Sequence, residues 1–201
     1  MVRSPSGDVD ILALFVAHDF AGVQVLIDNG VGLNKKIIEL TSSTLDIDKR
    51  RALIGLHAFS GNDYVSSFFR KRKIAFWRGM VKKDEYVNLF VNLGTTLHVS
   101  EEIDECLEKF VCAIYGSQRM QSVKDVRKEI FSQKFESEKK ITDLTLLPPI
   151  QANLKLHIKR SNYVASIFRQ ADRLMMDLDD PANHGWDERG AVVWSDVMLP
   201  G

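Results

Sequence analysis

At 201 residues, 45% of them hydrophobic and 27% charged, the chain is long enough for one domain, or one and a half, around a sizeable core. Lys+Arg and Asp+Glu both number 27, so the formal net charge is zero and a globally basic nucleic-acid binder is excluded; any such contact must use a local patch. The two cysteines, Cys106 and Cys112, make neither a disulfide scaffold nor a zinc site, the polar Val2 to Asp10 does not read as a signal peptide, and no apolar run approaches the roughly 20 residues of a membrane span. An intracellular place, nucleus or cytoplasm, is expected.

Near the N-terminus two acids, Asp8 and Asp10, stand in the segment SGDVDIL. Val9 to Ala17 is apolar apart from Asp10, which predicts burial. Asp8 has the residue type of a helix N-cap, and an acid there is favoured by the helix dipole. Gly22 to Ile27 reads as a strand, Asp28-Asn29-Gly30 as a tight turn and Lys35 to Leu40 as the return strand. That hairpin is expected at a sheet edge.

The central stretch runs from Leu53 to Met80. Ser42 or Ser43 is placed to cap a turn, after which Ala52, Leu53, Leu56 and Phe59 recur at helical spacing, predicting a helix over 48–59. His57 falls inside it, where a lone histidine is ordinarily a packing residue. Gly61 is expected to end the helix with a left-handed residue and to present Asp63 at the break. A cationic helix over 70–83 is predicted next, with Arg70, Lys71, Arg72, Lys73, Arg78, Lys82 and Lys83 and one acid-free face. Such a run is ordinarily a solvated face. The interleaved Phe68, Phe69, Phe76 and Trp77 make it one-sided, so its cations form a surface able to neutralise phosphates.

A short helix over 85–93, stopped by Gly94, precedes an amphipathic helix from Ser100 to about Tyr115, with Ile103, Leu107, Phe110, Val111 and Ile114 on one face. Its acids sit in the first turns, as the dipole prefers, and read as structural. Gly116 terminates it. A helix follows over 123–135, then a linker through Lys139-Lys140 to Leu147-Pro148-Pro149. Pro149 is placed to open a long helix over 150–176. Its residues His157, Arg160 and Tyr163 read as packing onto the core. The acids Asp172, Asp177, Asp179 and Asp180 lack the spacing of a calcium loop. Ala191 to Trp194 reads as a last short strand.

Several segments, taken in order, carry a family resemblance: Ser4-Pro5-Ser6-Gly7-Asp8-Val9-Asp10, then His57 to Asp63, Ser66 to Lys73, Leu147-Pro148-Pro149, His157 to Tyr163, and His184-Gly185-Trp186. Together they resemble a group of animal proteins often associated with mobile elements. The D-x-D pair and the later G-x-D-Y resemble the C-terminal half of PIN-like nuclease domains of the flap-endonuclease type. The resemblance implies an α/β, mostly helical class: a partial PIN-like three-layer α/β unit over 1–80, a helical region over 81–146, and a long helix with a short C-terminal strand over 147–201. It implies a divalent-metal-dependent nucleic-acid phosphodiesterase, or a truncated part of one, with Asp8, Asp10 and Asp63 as catalytic carboxylates and ligands of Mg²⁺ or Mn²⁺. Arg70, Lys71, Arg72 and Lys73 would bind nucleic acid, DNA ahead of RNA. PIN-like domains carry further acids and strands before their D-x-D, so part of the active site is expected to be missing here. The alternative is a catalytically inactive remnant that binds nucleic acid or a protein partner, or a missing N-terminal half, which would complete the sheet.

Overall fold

A computed structural model of the chain describes residues 2–4, 25–29, 32–39, 45–136 and 146–193. Three short strands and six helices are described. Strand β1 (Val2–Ser4) runs parallel to β2 (Val25–Asn29), and β2 pairs antiparallel with β3 (Lys36–Glu39), in the order β1-β2-β3. The hairpin and its edge position therefore form as expected. Its turn lies further on, however: Asp28 and Asn29 still pair with Ile37 and Lys36, and a 3-10 turn at Gly32–Asn34 follows. Asp8, Asp10, Ser42 and Ser43 lie outside the described residues.

The rest is helical, which bears out an α/β, mostly helical chain. Helix α1 (Ile47–Ser60) starts at Asp46, whose carboxylate accepts from the Lys49 N–H at 2.8 Å. Helix α2 (Lys73–Met80) and helix α3 (Asp84–Asn92) follow. Helix α4 (Glu101–Ile114) is capped by the Ser100 hydroxyl as the sequence indicates, and helix α5 spans Val123–Glu136. Helix α6 (Gln151–Arg169) is the longest of those described.

Two helices are shorter than the sequence pattern suggests. The cationic helix begins only at Lys73, because Phe68 to Lys71 form a turn closed by the Lys71 N–H on the Phe68 carbonyl at 3.0 Å. The long helix ends at Arg169, where the Gln170 N–H folds back onto Ile167 and Phe168. The carboxamide of Gln170 then both accepts from the Asp177 N–H at 2.8 Å and donates to the Asp177 carbonyl at 3.1 Å, which holds the next loop in place of further turns. The expected C-terminal strand is a single bridge between Trp186 and Val192, and Trp194 lies outside the described residues.

One apolar core joins these helices. Phe59 sits at its centre, fully buried, with the rings of Phe68, Phe76, Phe90 and Phe110 between 5.4 and 6.3 Å away. Such tilted and edge-on pairs are the favoured arrangements of aromatic rings. Helices α1 and α3 meet at Gly55, where a Cβ would lie 2.3 Å from the Phe90 carbonyl oxygen. Helix α6 closes the assembly with polar side chains. Arg169 donates to the Leu93 and Phe90 carbonyls, both at 2.9 Å, satisfying acceptors that the end of α3 leaves open. Asn162 accepts from the Gly94 N–H at 2.8 Å and donates to Thr96 and Leu97.

Candidate functional site

The break after α1 is built by its own sequence. Gly61 has φ of 103°, and a Cβ there would lie 2.6 Å from the Ser67 backbone, so only glycine fits. The Asn62 side-chain oxygen accepts from the Tyr64 and Val65 N–H groups at 2.8 and 3.1 Å, and the Asn62 N–H donates to the Val65 carbonyl at 2.9 Å. This Asx turn fixes the loop. It leaves Asp63 and Tyr64 exposed, as the sequence predicts for Asp63.

Asp63 and Tyr64 stand on the rim of a cavity of about 630 Å³. Its other walls include Tyr163, Ile167 and Phe168 of α6, and Pro181, Trp186, Gly190 and Val192 from the C-terminal loops. The wall is held from behind. The Tyr163 ring stacks on His184 at 4.6 Å and meets Trp186 edge-on at 5.7 Å, while its hydroxyl donates to the Asp179 carbonyl at 2.7 Å. His184 pairs with the Asp179 carboxylate at 3.0 Å. The Asp180 N–H, followed by His184, holds that carboxyl below its ordinary range. The fully buried Arg160 donates to the carbonyls of Gly185 and Val193 at 3.0 and 3.1 Å. Gly185 is left-handed at φ of 97°, and a Cβ would press on Arg160 and on the Leu156 carbonyl.

The sequence flags Trp186 as a motif position and Tyr163 as a motif position that packs onto the core. Their common role as cavity wall was legible only in part. The signal was the co-occurrence of H-x-x-R-x-x-Y with H-G-W, which meet here through Arg160–Gly185 and Tyr163–His184.

The cationic run divides in two. Lys71, half-buried, and Lys73, still exposed, each bond to a helix end. The Lys71 ammonium donates to the Ile114 carbonyl at 3.1 Å and lies 4.3 Å from the centre of the Tyr115 ring. It thus caps the C-terminus of α4, and burial lowers its pKa. The Lys73 ammonium donates to the Gly61 carbonyl, to the Ser60 hydroxyl at 3.5 Å and to His57 Nδ1 at 3.0 Å, so it caps α1 in the same way. His57 is accordingly a buried packing residue that accepts at Nδ1. Arg70 and Arg72 are exposed, with the Arg70 guanidinium 5.2 Å from the centre of the Phe69 ring. Further along, Arg78, Lys82 and Lys83 line a groove of about 410 Å³ together with Gly79, Tyr86 and Gln118. None of the described residues lining it is acidic.

The expected metal set is described for Asp63 alone, since Asp8 and Asp10 lie outside the described residues. Among the described residues no group of three or more His, Cys, Asp or Glu is placed to hold a metal ion. One exposed carboxylate does not make a site for Mg²⁺ or Mn²⁺, which need several oxygen ligands. Both cysteines are free, and burial pushes each thiol up to about 11, so neither is an activated nucleophile. No described helix is long and apolar enough to cross a membrane. Comparison with protein-family models, with curated proteins and with solved structures gave no match to this chain.

Proposed function

We propose that this chain is a nucleic-acid-binding piece of PIN-like descent whose contact surface is the groove of Arg78, Lys82 and Lys83. The observation that carries this reading is the segregation of charge: three cations converge on one groove with no acid among its described lining residues, in a chain of zero net charge. Neutralising phosphates and releasing their counterions supplies most of the affinity of such surfaces. Arg70 and Arg72, exposed at the start of the same run, extend the cationic surface. DNA is the preferred polymer under the resemblance, and the nucleus or cytoplasm the compartment. Fluorescence anisotropy with labelled DNA and RNA tests it. The triple variant Arg78→Gln/Lys82→Gln/Lys83→Gln should weaken binding of every sequence alike. It should also flatten the log–log salt dependence by roughly 2–3 units, since each phosphate contact contributes roughly 0.7–0.9. An unchanged slope would make the groove a solvated face.

A second reading, in which the chain is a metal-dependent phosphodiesterase or part of one, is favoured by the exposure of Asp63 on a rigid turn. Asp8 and Asp10 would then join Asp63 around Mg²⁺ or Mn²⁺. Cleavage of a labelled oligonucleotide that needs the metal and is lost in Asp63→Asn would support it; cleavage unchanged in that variant would remove Asp63 from the chemistry. A protein partner pairing with the sheet edge at β3 is the remaining alternative. It draws on the exposed Ile37 there.

A further inference from the structure

The geometry points to a second site, apart from the cationic groove: the cavity beside Asp63 binds an organic cation with an alkylated ammonium head, carried by a free small molecule or by a methylated lysine side chain.

Among the described lining residues are four rings, those of Tyr64, Tyr163, Phe168 and Trp186, and one carboxylate, that of Asp63. No Lys, Arg or His is among the described lining residues. A phosphate entering here would meet a carboxylate and no counter-charge. A neutral apolar ligand would leave the carboxylate unused. An alkylated ammonium satisfies both features: its charge is drawn to ring faces and to Asp63, and its methyl groups pack on the apolar wall. In its fully alkylated form, as in choline or trimethyl-lysine, it also offers no N–H that would demand an acceptor.

The wall is also preorganised. Tyr163 is pinned by His184 and Trp186, and the turn that carries Trp186 is fixed by Arg160 on the Gly185 carbonyl. A rigid cage loses little entropy when it is filled. The cavity volume of about 630 Å³ lies within the roughly 300–1,000 Å³ of small-molecule sites and leaves room for a stem behind the head.

The test is calorimetry and NMR on the whole chain, using choline, its neutral isostere 3,3-dimethylbutanol, adenosine monophosphate, and a peptide with or without trimethylation of one lysine. Choline or the trimethylated peptide should bind and shift the Trp186 indole N–H. The isostere should bind at least about 10-fold more weakly, as should the unmodified peptide. Because Asp63 and Tyr64 are exposed, Asp63→Asn and Tyr64→Ala should leave the melting temperature unchanged while weakening the cation about 10-fold each. Tighter binding of the trimethylated peptide than of choline identifies a protein side chain as the source, and the reverse identifies a small molecule. Equal binding of the isostere, preferential binding of adenosine monophosphate at Trp186, unaltered affinity in Asp63→Asn, or no cation binding at millimolar concentration would each overturn the proposal. The triple variant of Arg78, Lys82 and Lys83 should leave cation binding intact, so the two sites stand or fall separately.

Discussion

His157 reaches from α6 to the last turn of α1, where its Nε2–H donates to the Phe59 carbonyl at 2.9 Å and its ring packs edge-on against the Phe59 ring at 5.1 Å. The contact satisfies a carbonyl that the end of α1 leaves without a helical partner. It also places an imidazole among phenyl rings, with Phe68 at 4.7 Å on another side. Burial pushes its pKa down from 6.5 to about 4, and Arg160 adds to the fall.

A dependence of stability on acidity follows. The imidazole titrates near 6.5 in the unfolded chain and at about 4 in the folded one. Between these values the unfolded chain binds more protons, so stability rises with pH. The contribution is complete above pH 6.5 and is lost as pH falls toward 4, by about 3 kcal/mol in all. Urea unfolding at pH 7, 5.5 and 4.5 should show this fall, and His157→Gln should remove most of it. Parallel pH profiles in the two proteins would mean that other groups cause the loss.

Gly55 gives a prediction whose sign opposes helix propensity. Replacing a mid-helix glycine by alanine ordinarily stabilises by about 1 kcal/mol. Here the new methyl would lie 2.3 Å from the Phe90 carbonyl oxygen and 3.2 Å from the Leu93 Cβ, so α1 and α3 must move apart. Gly55→Ala should therefore destabilise by about 1–3 kcal/mol, read from the urea midpoint. A gain in stability would mean that the two helices are not in contact at this point.

Arg70 occupies a turn position with φ of 56°, where a side chain is strained and glycine is not. Arg70→Gly should raise stability by up to about 1 kcal/mol, the relief of strain exceeding the flexibility added to the unfolded chain. Arg70→Val should lower it by about 1 kcal/mol, because a β-branched residue tolerates that φ least. Thermal unfolding of the pair decides it; equal melting temperatures would mean that the turn relaxes freely.

Local signals carried most of the fold. The stripe of Leu107, Phe110 and Val111 and the Ser100 cap place α4 correctly, and Gly94 and Gly116 are the positive-φ stops that the sequence suggests. The failures came where side chains compete with the helix. Nothing local in Phe68 to Lys71 says that Arg70 will take a glycine-like φ, nor that Gln170 will end α6 by bonding to the Asp177 backbone. The site divides in the same manner. Exposure of Asp63 follows from Gly61 and Asn62 beside it, whereas the direction of each lysine depends on which helix end lies near it in space. Four lysines and arginines in a row look alike in sequence, yet Lys71 and Lys73 are the two whose ammonium groups end on helix-terminal carbonyls.

That division separates binding from stability within one charge run. Lys71 and Lys73 each place an ammonium at a helix C-terminus, a charge-assisted bond worth about 1–2 kcal/mol where partly buried. Lys71→Met/Lys73→Met should therefore lower stability by about 2–4 kcal/mol if the two caps act independently. Its oligonucleotide salt slope should change by less than roughly one unit, since neither ammonium faces a phosphate under the proposed reading. The triple variant of Arg78, Lys82 and Lys83 should do the opposite: a flatter slope with a melting temperature near that of the parent. Both quantities come from the same samples, by thermal unfolding and by anisotropy titration between 50 and 200 mM salt. Should the Lys71/Lys73 variant lose binding while keeping its stability, those lysines leave the helix ends to hold the nucleic acid. The phosphate surface would then be the four-residue run Arg70 to Lys73 and not the groove beyond it.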